Sequence, residues 1–521
     1  MAALLRCVDT SLYRFETRTT IFAAVAMAAL LGLLPIGAKT RASEMDDDWA
    51  TLRRILANIK GVATTPIKEV VSDRYTSGML LGNGDIGVVV GDTVSTQRFY
   101  FGKNDFWGTA TDSAHPEYNP GIISLGGLTV SSPTPGSHPE SVYRMEQDIL
   151  NAQVTTAMQF GNTTVHMRSW TADSDNVFVT ELTSDLNSEP VTISLDLWQS
   201  ANKVYPYASG VSDGVLWVSR ANNLTGTNEY VARAGIALRL LGASFDSTQN
   251  EDAGVQGTLT LKPNVPVQVV VAFRSDARIG PDGPSTDMLA QKAREAVSRL
   301  GAADVVGMWS DHLEQWKNFW LRSYIQVHDS VLESYYYGAL YVLGSTTRPE
   351  KALQTSMWGN FITMDTSRWG GRYFDNYNVE APYYGIFSAN RPDWILPYTK
   401  FLFAEEPFQQ NITAAAGYKV LLIPEVFRPL ISFVRGLRKF QLRPPRTTQN
   451  SLPRTTRNRM GRFLPFPRSG IGNTRWIPIS CANTCIRSSR RWMRSGGILS
   501  CGMASAMWPI IVPHTKGSLS I

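Results

Sequence analysis

The sequence predicts a multidomain α+β protein in which an antiparallel β-sandwich precedes a helical region. Short runs of alternating polarity, separated by turn residues at roughly ten-residue spacing, fill residues 70–275. Longer stretches with apolar residues at helical spacing follow, up to about residue 418. Residues 419–521 carry neither pattern. With 521 residues, of which 43% are hydrophobic, the chain is long enough for two or more domains with substantial cores.

The N-terminus has the pattern of a signal peptide. Two arginines precede an apolar run over residues 21–36, and small residues follow it. Cleavage is expected after Ala38 or Ala42. The alternative is a membrane anchor, but the run is short for a membrane span. We therefore expect that residues 1–42 are a presequence and that the protein is secreted, with no stable membrane association after cleavage.

The predicted β-sandwich domain spans residues 43–285. Asn83-Gly84 lies between two apolar runs, which is a strong signal for a β-hairpin. No cysteine occurs between Ser43 and Tyr418, so no disulfide is expected in this region. Three glycosylation sequons become plausible surface sites if the chain is secreted. They are at Asn162, Asn223 and Asn411.

The predicted helical region spans residues 286–418. Ser285 is a good N-cap for its first helix. Later helices carry aromatic residues at helical spacing, for which core packing is favoured over ligand contact. These residues are Trp316, Phe319, Trp320, Tyr335 and Tyr336. The stretch 358–401 is rich in Trp, Tyr, Asn and Gly and is irregular, as segments that build a pocket often are.

The tail from Lys419 onward differs sharply from the rest of the chain. It holds 18 Lys and Arg and one acid, Glu425, whereas the preceding residues hold 32 basic and 43 acidic side chains. The overall charge of +6 therefore comes from the tail alone. A disordered nucleic-acid-binding arm is one reading. We favour a non-native tail, translated out of frame, and expect no nucleic-acid partner.

No motif indicates a cofactor or a metal. The spacing Cys481-x-x-x-Cys485 has no second ligand pair, and none of the six histidines has zinc-site spacing. No phosphate-binding loop or haem motif is present. We therefore expect neither cofactor nor metal.

Two stretches resemble glycoside hydrolase family 95, the α-L-fucosidase-type family of the six-hairpin glycosidase superfamily, which is related to family 65. Residues 80–108 resemble the opening of its N-terminal β-domain, with Leu81-Gly82-Asn83-Gly84 and Asn104 to Gly108. Residues 353–385 resemble its first active-site segment. The matching positions there are Leu353, Gln354, Trp358, Trp369, Tyr373, Asn376, Asn378 and Glu380.

The resemblance implies an (α/α)6 barrel after the sandwich, of which residues 286–418 supply only the first part. It also implies a secreted hydrolase that cleaves O-glycosidic bonds with inversion, which needs a general acid and a base that activates water. Asn376 and Asn378 would orient the water. Glu380 would contact the substrate or its hydrogen-bond network. Trp358 and Trp369 would stack on sugar faces, and Arg372 would bind ring hydroxyls.

These residues also have structural interpretations. An Asn-x-Asn pair often stabilises a turn. The alternative for Glu380 is a buried carboxylate in a hydrogen-bond network, and the alternative for Trp358 is packing alone. Asp365 and Asp375 are candidates for acid or base by residue type, although they do not match the family pattern.

The family's general acid and distal Asp are expected beyond Gly417, where the chain offers only Glu425. We therefore expect a glycosidase-type protein that binds an oligosaccharide or glycan but is inactive as this chain. The alternative is a non-catalytic carbohydrate-binding protein.

Overall fold

The computed structural model describes most of the chain between residues 41 and 415. Described are residues 41–108, 121–133, 142–200, 205–222, 230–279, 283–351, 353–375, 377–415 and 426–427. They belong to one compact unit. Residues 1–40 of the predicted presequence lie outside the described residues, as does the tail except for Val426 and Phe427.

The first half forms two antiparallel sheets, which confirms the predicted sandwich. A nine-stranded sheet has the order β1-β6-β7-β8-β9-β16-β13-β12-β11, and a seven-stranded sheet has the order β14-β15-β10-β5-β4-β3-β2. The strands are β1 Lys60–Ala63, β2 Met79–Gly82, β3 Ile86–Thr93, β4 Thr96–Lys103, β5 Gly126–Ser131, β6 Arg144–Asp148, β7 Gln153–Phe160, β8 Thr163–Thr171, β9 Val177–Ser184, β10 Val191–Trp198, β11 Tyr207–Ser212, β12 Val215–Ala221, β13 Tyr230–Leu241, β14 Ser247–Glu251, β15 Gly254–Leu261 and β16 Val267–Ile279.

The sandwich core follows from the alternation of polarity along the strands. In β7, partly exposed and buried residues alternate without a break. Period-two alternation places every second side chain on the inner face. Aromatic and aliphatic side chains pack together between the inner faces. For example, the ring centroids of Phe101 in one sheet and Phe273 in the other are 4.9 Å apart.

Six α-helices are described, one before the sandwich and five after it. They are α1 Arg41–Leu56, α2 Thr286–Ser298, α3 Ala302–Trp320, α4 Ser330–Thr346, α5 Tyr377–Tyr384 and α6 Leu396–Ala415. Two 3-10 turns, Arg368–Gly371 and Pro392–Ile395, and a short ladder of β17 Tyr373–Phe374 with β18 Val426–Phe427 complete the described elements. The sandwich is thus followed by helices, as predicted, and the (α/α)6 barrel stays a prediction.

The predicted helix start is confirmed, because the Ser285 side chain accepts a hydrogen bond from the Met288 amide at 3.1 Å. Helix α2 then packs on the outer face of the nine-stranded sheet, where Ala293 and Val297 are buried. Helix α1 was not foreseen as helical. It packs with α3 and α4 rather than inside the sandwich, and its Leu52 is buried in their cluster.

The core-packing prediction is confirmed for Trp316, Phe319 and Trp320, which are buried, and is wrong for Tyr335, which is 63% exposed. Tyr335 lies two residues from the buried Tyr337 on α4, and two residues rotate about 200° around a helix. Its ring therefore faces away from the core. Tyr336 is partly buried at the edge of the same cluster.

The Asn83-Gly84 turn connects the sandwich to the helices. It joins β2 to β3 in the predicted hairpin. The Gly84 amide donates to the Ser345 carbonyl at 2.9 Å, at the end of α4. The Asn104 side chain donates to the carbonyls of Gly84 at 2.9 Å and Thr346 at 2.8 Å. The first family-like stretch thus fixes where α4 ends and where the following loop begins.

Within the described part of the chain, no helix is long and apolar enough to cross a membrane.

Candidate functional site

The second family-like stretch covers most of the loop between α4 and α5 as well as α5 itself, and the loop is anchored to the sandwich. Asp365 is buried and accepts two hydrogen bonds from Arg220 of β12, with Nη1–Oδ1 at 3.0 Å and Nη2–Oδ2 at 2.5 Å. The Ser124 amide and the Ser200 hydroxyl also donate to it, at 3.1 and 2.9 Å. A carboxylate so fully occupied is a structural anchor, so Asp365 is removed from the candidate acids and bases.

Two indole rings lie parallel on this loop. The Trp358 and Trp369 ring centroids are 6.1 Å apart, with an interplanar angle of 11°. Trp369 is 56% exposed, and Trp358 is partly buried against the sandwich core. The Trp358 Nε1 donates to the Arg368 carbonyl at 2.9 Å, which fixes the inner ring. The structure thus brings together the two tryptophans that were predicted to stack on sugars.

The exposed ring sits on an unusual backbone. Trp369 has φ +56°, and Gly370 and Gly371 follow at +68° and +57°. Left-handed φ is uncommon for a bulky residue, and such conformations cluster at functional sites. The two glycines adopt it without a Cβ clash, and the Gly370 carbonyl accepts from the Ile122 amide at 3.1 Å. This turn holds the Trp369 ring out toward solvent.

The same segment and helix α5 contain several buried polar atoms that make no hydrogen bond of normal geometry. Phe374 packs edge-on against Trp369 at 6.2 Å, and Asp375 follows it directly. Among the described residues, the buried atoms that make no hydrogen bond of normal geometry include both carboxyl oxygens of Asp375, both amide atoms of Gln354 and the hydroxyl of Tyr383. The Gln354 amide is nevertheless close enough to Asp375 to interact with it. Buried polar groups are almost always satisfied, so such a group needs a water or a ligand to complete it.

The pKa of Asp375 is raised to about 7, mainly by burial. The Gln354 amide opposes this rise, and the charge of Glu380 contributes to it. At neutral pH this carboxyl is therefore partly protonated, so it can donate a hydrogen bond as well as accept one. A carboxyl poised in this way is a common feature of catalytic and ligand-binding sites.

Helix α5 carries two other predicted site residues. Glu380 is partly buried and accepts a hydrogen bond from the Tyr384 hydroxyl at 2.8 Å. Asn378 is exposed, and its position two residues before Glu380 turns it to another side of the helix. Asn376 lies outside the described residues. The relation of the Asn-x-Asn pair to a water molecule stays a prediction.

Arg372 is partly buried, and burial lowers the pKa of its guanidinium. Its carbonyl accepts from the Met357 amide at 3.3 Å, which connects the two ends of the loop. Its predicted contact with sugar hydroxyls stays a prediction. Gln354 and Tyr383 were given no role from the sequence. Gln354 does belong to the family-like pattern, and that was the signal that could have found it.

Two of the three predicted glycosylation sites are described. Asn162 is exposed in the two-residue turn between β7 and β8, and Asn411 is exposed on α6. Asn223 lies outside the described residues. No cluster of three or more His, Cys, Asp or Glu side chains that could hold a metal is found among the described residues.

Searches with protein-family models and among curated proteins return no match. Part of the chain is similar to solved structures at low identity. A kojibiose phosphorylase from the human microbiome has 13% identity and a TM-score of 0.44, over 68% of this chain and 50% of that one. A bacterial glucoamylase in complex with acarbose has 9% identity and a TM-score of 0.35, over 67% and 54%.

A family 92 α-mannosidase from Bacteroides thetaiotaomicron has 10% identity and a TM-score of 0.24, over 55% of this chain and 41% of that one. This chain thus spans about half the length of the first two proteins. None of the three is a family 95 fucosidase, so that resemblance stays a prediction.

Proposed function

We propose that this chain is a carbohydrate-binding protein of the glycosidase type, with its sugar site on the loop between α4 and α5. One observation carries the proposal: the segment that bears the parallel Trp358–Trp369 pair also bears Gln354 and Asp375, whose buried polar atoms make no hydrogen bond of normal geometry among the described residues. Sugars present apolar ring faces and many hydroxyls. An exposed indole face in the same segment as amide and carboxyl groups would complement both features.

In this proposal the exposed face of Trp369 stacks on a sugar ring. Gln354 supplies an amide donor and an amide acceptor, and Asp375 supplies a carboxyl that can act as either. Arg368, whose guanidinium lies 5.7 Å from the Trp369 ring, borders the same surface. The hydroxyls of the sugar would form hydrogen bonds with buried polar atoms that have none of normal geometry in the free protein, which favours binding.

Glycosidic cleavage requires an acid to protonate the leaving oxygen and a second group to activate water. Asp375 is the described residue best suited to the acid, because a carboxyl with a pKa near the working pH can hold and release a proton. Glu380 is the second carboxylate in this segment. Inversion, a fucoside substrate and water orientation by Asn376 and Asn378 are further proposals that follow from the family resemblance.

Binding is tested by titrating the full chain with a panel of mono- and oligosaccharides, fucosides included, in a calorimeter. We expect at least one sugar to bind, and Trp369→Ala to weaken it by roughly tenfold. Tyr335→Ala is the matched control, because that ring is similarly exposed, at 63% against 56%, but lies on α4. If no sugar binds, or if both variants weaken binding equally, the proposal fails.

Hydrolysis is tested separately with aryl glycosides, using Asp375→Asn and Asn378→Ala. Loss of turnover with retained sugar binding in Asp375→Asn would support its role as acid. Binding without any turnover by the parent chain would favour the non-catalytic alternative. Secretion is a separate proposal, and it is tested by sequencing the N-terminus of the mature protein, with Lys39 or Ser43 expected as the first residue.

A further inference from the structure

A cavity lies between the sandwich and the helices, and its lining residues are different from those of the Trp369 segment. Its volume is about 290 Å³, at the lower end of the range for small-molecule sites. The turn between β8 and β9 supplies Asp173, and the segment after α4 supplies Arg348 and Lys351. Trp316 and Phe319 of α3 line it together with Trp394. One wall is therefore aromatic and another is charged.

Arg348 is already satisfied by the protein. Its Nη1 pairs with Asp173, its Nε donates to the Gly344 carbonyl at 3.0 Å, and its guanidinium lies 5.5 Å from the Trp316 ring. The guanidinium of Arg348 is therefore paired with groups of the protein itself and is not available to a ligand. Asp173 is neutralised by the same pair, so neither group leaves a net charge for a ligand.

Lys351 is not satisfied in this way. Its ammonium makes no hydrogen bond or close ion pair with any described residue, although the side chain is only partly exposed. Burial lowers the pKa of Lys351, and the charge of Asp85 opposes this from a longer distance. Asp85 itself is occupied, because Lys103 donates to its two oxygens at 2.8 and 2.9 Å. A partly buried ammonium without a partner favours an anion.

We propose that this cavity binds a small organic carboxylate with a ring-sized body, such as a sugar acid, with the carboxylate at Lys351 and the ring against Trp316, Phe319 and Trp394. A monoanion fits better than a phosphate dianion, because only one cation is free and Glu350 lies exposed among the lining residues. Aromatic side chains next to a few well-placed polar groups are typical of small-molecule sites.

The experiment uses the full chain and three probes: D-glucuronate, D-glucose and inorganic phosphate. Binding is followed by calorimetry at low ionic strength. We expect glucuronate to bind at least tenfold more tightly than glucose, since only glucuronate carries the carboxylate. Lys351→Gln should weaken glucuronate binding by tenfold or more. Lys292→Gln, which removes an exposed lysine on α2, is the matched control and should leave it unchanged.

Equal binding of glucose and glucuronate would overturn the proposed role of Lys351, and this result needs no variant. Phosphate binding as tight as glucuronate would overturn the role of the aromatic wall. Unchanged glucuronate affinity in a folded Lys351→Gln protein would place the ligand elsewhere, and circular dichroism checks the folding. Trp369→Ala separates the two sites, because it should weaken the neutral sugar of the proposed function and leave glucuronate binding at this cavity unchanged.

Discussion

Arg220 and Asp365 form a buried two-point ion pair that connects strand β12 to the loop bearing Trp358 and Trp369. Both side chains are 2% exposed, and the partners are 145 residues apart in sequence. The Arg220 Nη1 also donates to the Ser124 carbonyl. A charge buried this deeply is stable only with its partner, so the pair fixes the position of the loop on the sandwich.

We expect Asp365→Ala to lower the free energy of unfolding by about 3–5 kcal/mol, because it leaves the Arg220 charge buried without compensation. Urea unfolding followed by tryptophan fluorescence measures this. Asp311→Ala, at an exposed aspartate of α3, is the matched control and should change stability by less than about 0.5 kcal/mol. If the two variants are equally stable, the ion pair does not anchor the loop.

The Gly84 turn offers a second test, of the connection between sandwich and helices. Gly84 has φ +85°, and a Cβ there would lie 2.6 Å from Arg348 Cγ and 3.1 Å from the Arg348 amide nitrogen. In Gly84→Ala, the new Cβ should therefore overlap with Arg348, in addition to the backbone strain that a left-handed φ causes in alanine. We expect a larger loss of stability than the roughly 1–2 kcal/mol that such strain alone costs.

Gly214→Ala is the control that isolates the strain. Gly214 has φ +72°, and no heavy atom lies within 4 Å of the site of its Cβ. The difference between the two variants in thermal or urea unfolding measures the clash with Arg348. Equal losses would mean that the Arg348 segment moves away freely, and that the turn does not position it.

The parts of the fold that were predictable from sequence depend on local patterns. The alternation along β7, the Asn83-Gly84 hairpin and the Ser285 cap each involve residues close together in the chain, so the sequence alone reveals them. Helix α1 was missed because its acidic run Asp46–Asp48 gives it little amphipathic periodicity. Its buried residues Leu52, Ile55 and Leu56 lie in one cluster with residues of α3 and α4, which are distant in sequence.

The site was harder to predict because its chemistry depends on distant partners. Asp365 and Asp375 lie ten residues apart in one segment, and both are acids by type. Arg220, far away in the chain, makes the first a structural anchor, whereas burial without a cation makes the second a weak acid. The stacking of Trp358 on Trp369 was foreseen only as two separate sugar contacts.

Asp375 makes the stability of the protein depend on pH. Its pKa rises from 3.8 to about 7 on folding, so between these values the folded state keeps a proton that the unfolded chain has released. Stability therefore falls as the pH rises through this interval and levels off above about pH 7. We expect Asp375→Asn to lose this slope and to be more stable than the parent chain at pH 8, as measured by urea unfolding.

Glu380→Gln provides a milder version of the same test. Removing the Glu380 charge removes a repulsion that raises the pKa of Asp375, so the fall in stability should end at a lower pH. If the stability of Asp375→Asn changes with pH in parallel with that of the parent chain, this carboxyl ionises as freely in the folded as in the unfolded chain. Its proposed role as a proton donor would then fail as well.

His312 should produce the opposite slope. It is buried on α3, its Nε2 lies 2.8 Å from the Asn151 carbonyl, and its ring stacks on Trp309 at 5.1 Å. Burial lowers its pKa from 6.5 to about 4, so the folded protein keeps it neutral where the unfolded chain binds a proton. Its contribution to stability is complete above pH 6.5 and is lost as the pH falls toward 4.

We expect His312→Gln to be less stable than the parent chain at pH 7.5, because the amide repacks the aromatic contact poorly, but to lose stability less steeply between pH 6.5 and 4. Urea midpoints measured across this interval test the prediction. Asp375→Asn is the control, because it should retain the His312 slope, and without the opposing slope of Asp375 the effect should be clearer. An unchanged acid slope in His312→Gln would assign the acid sensitivity to other groups.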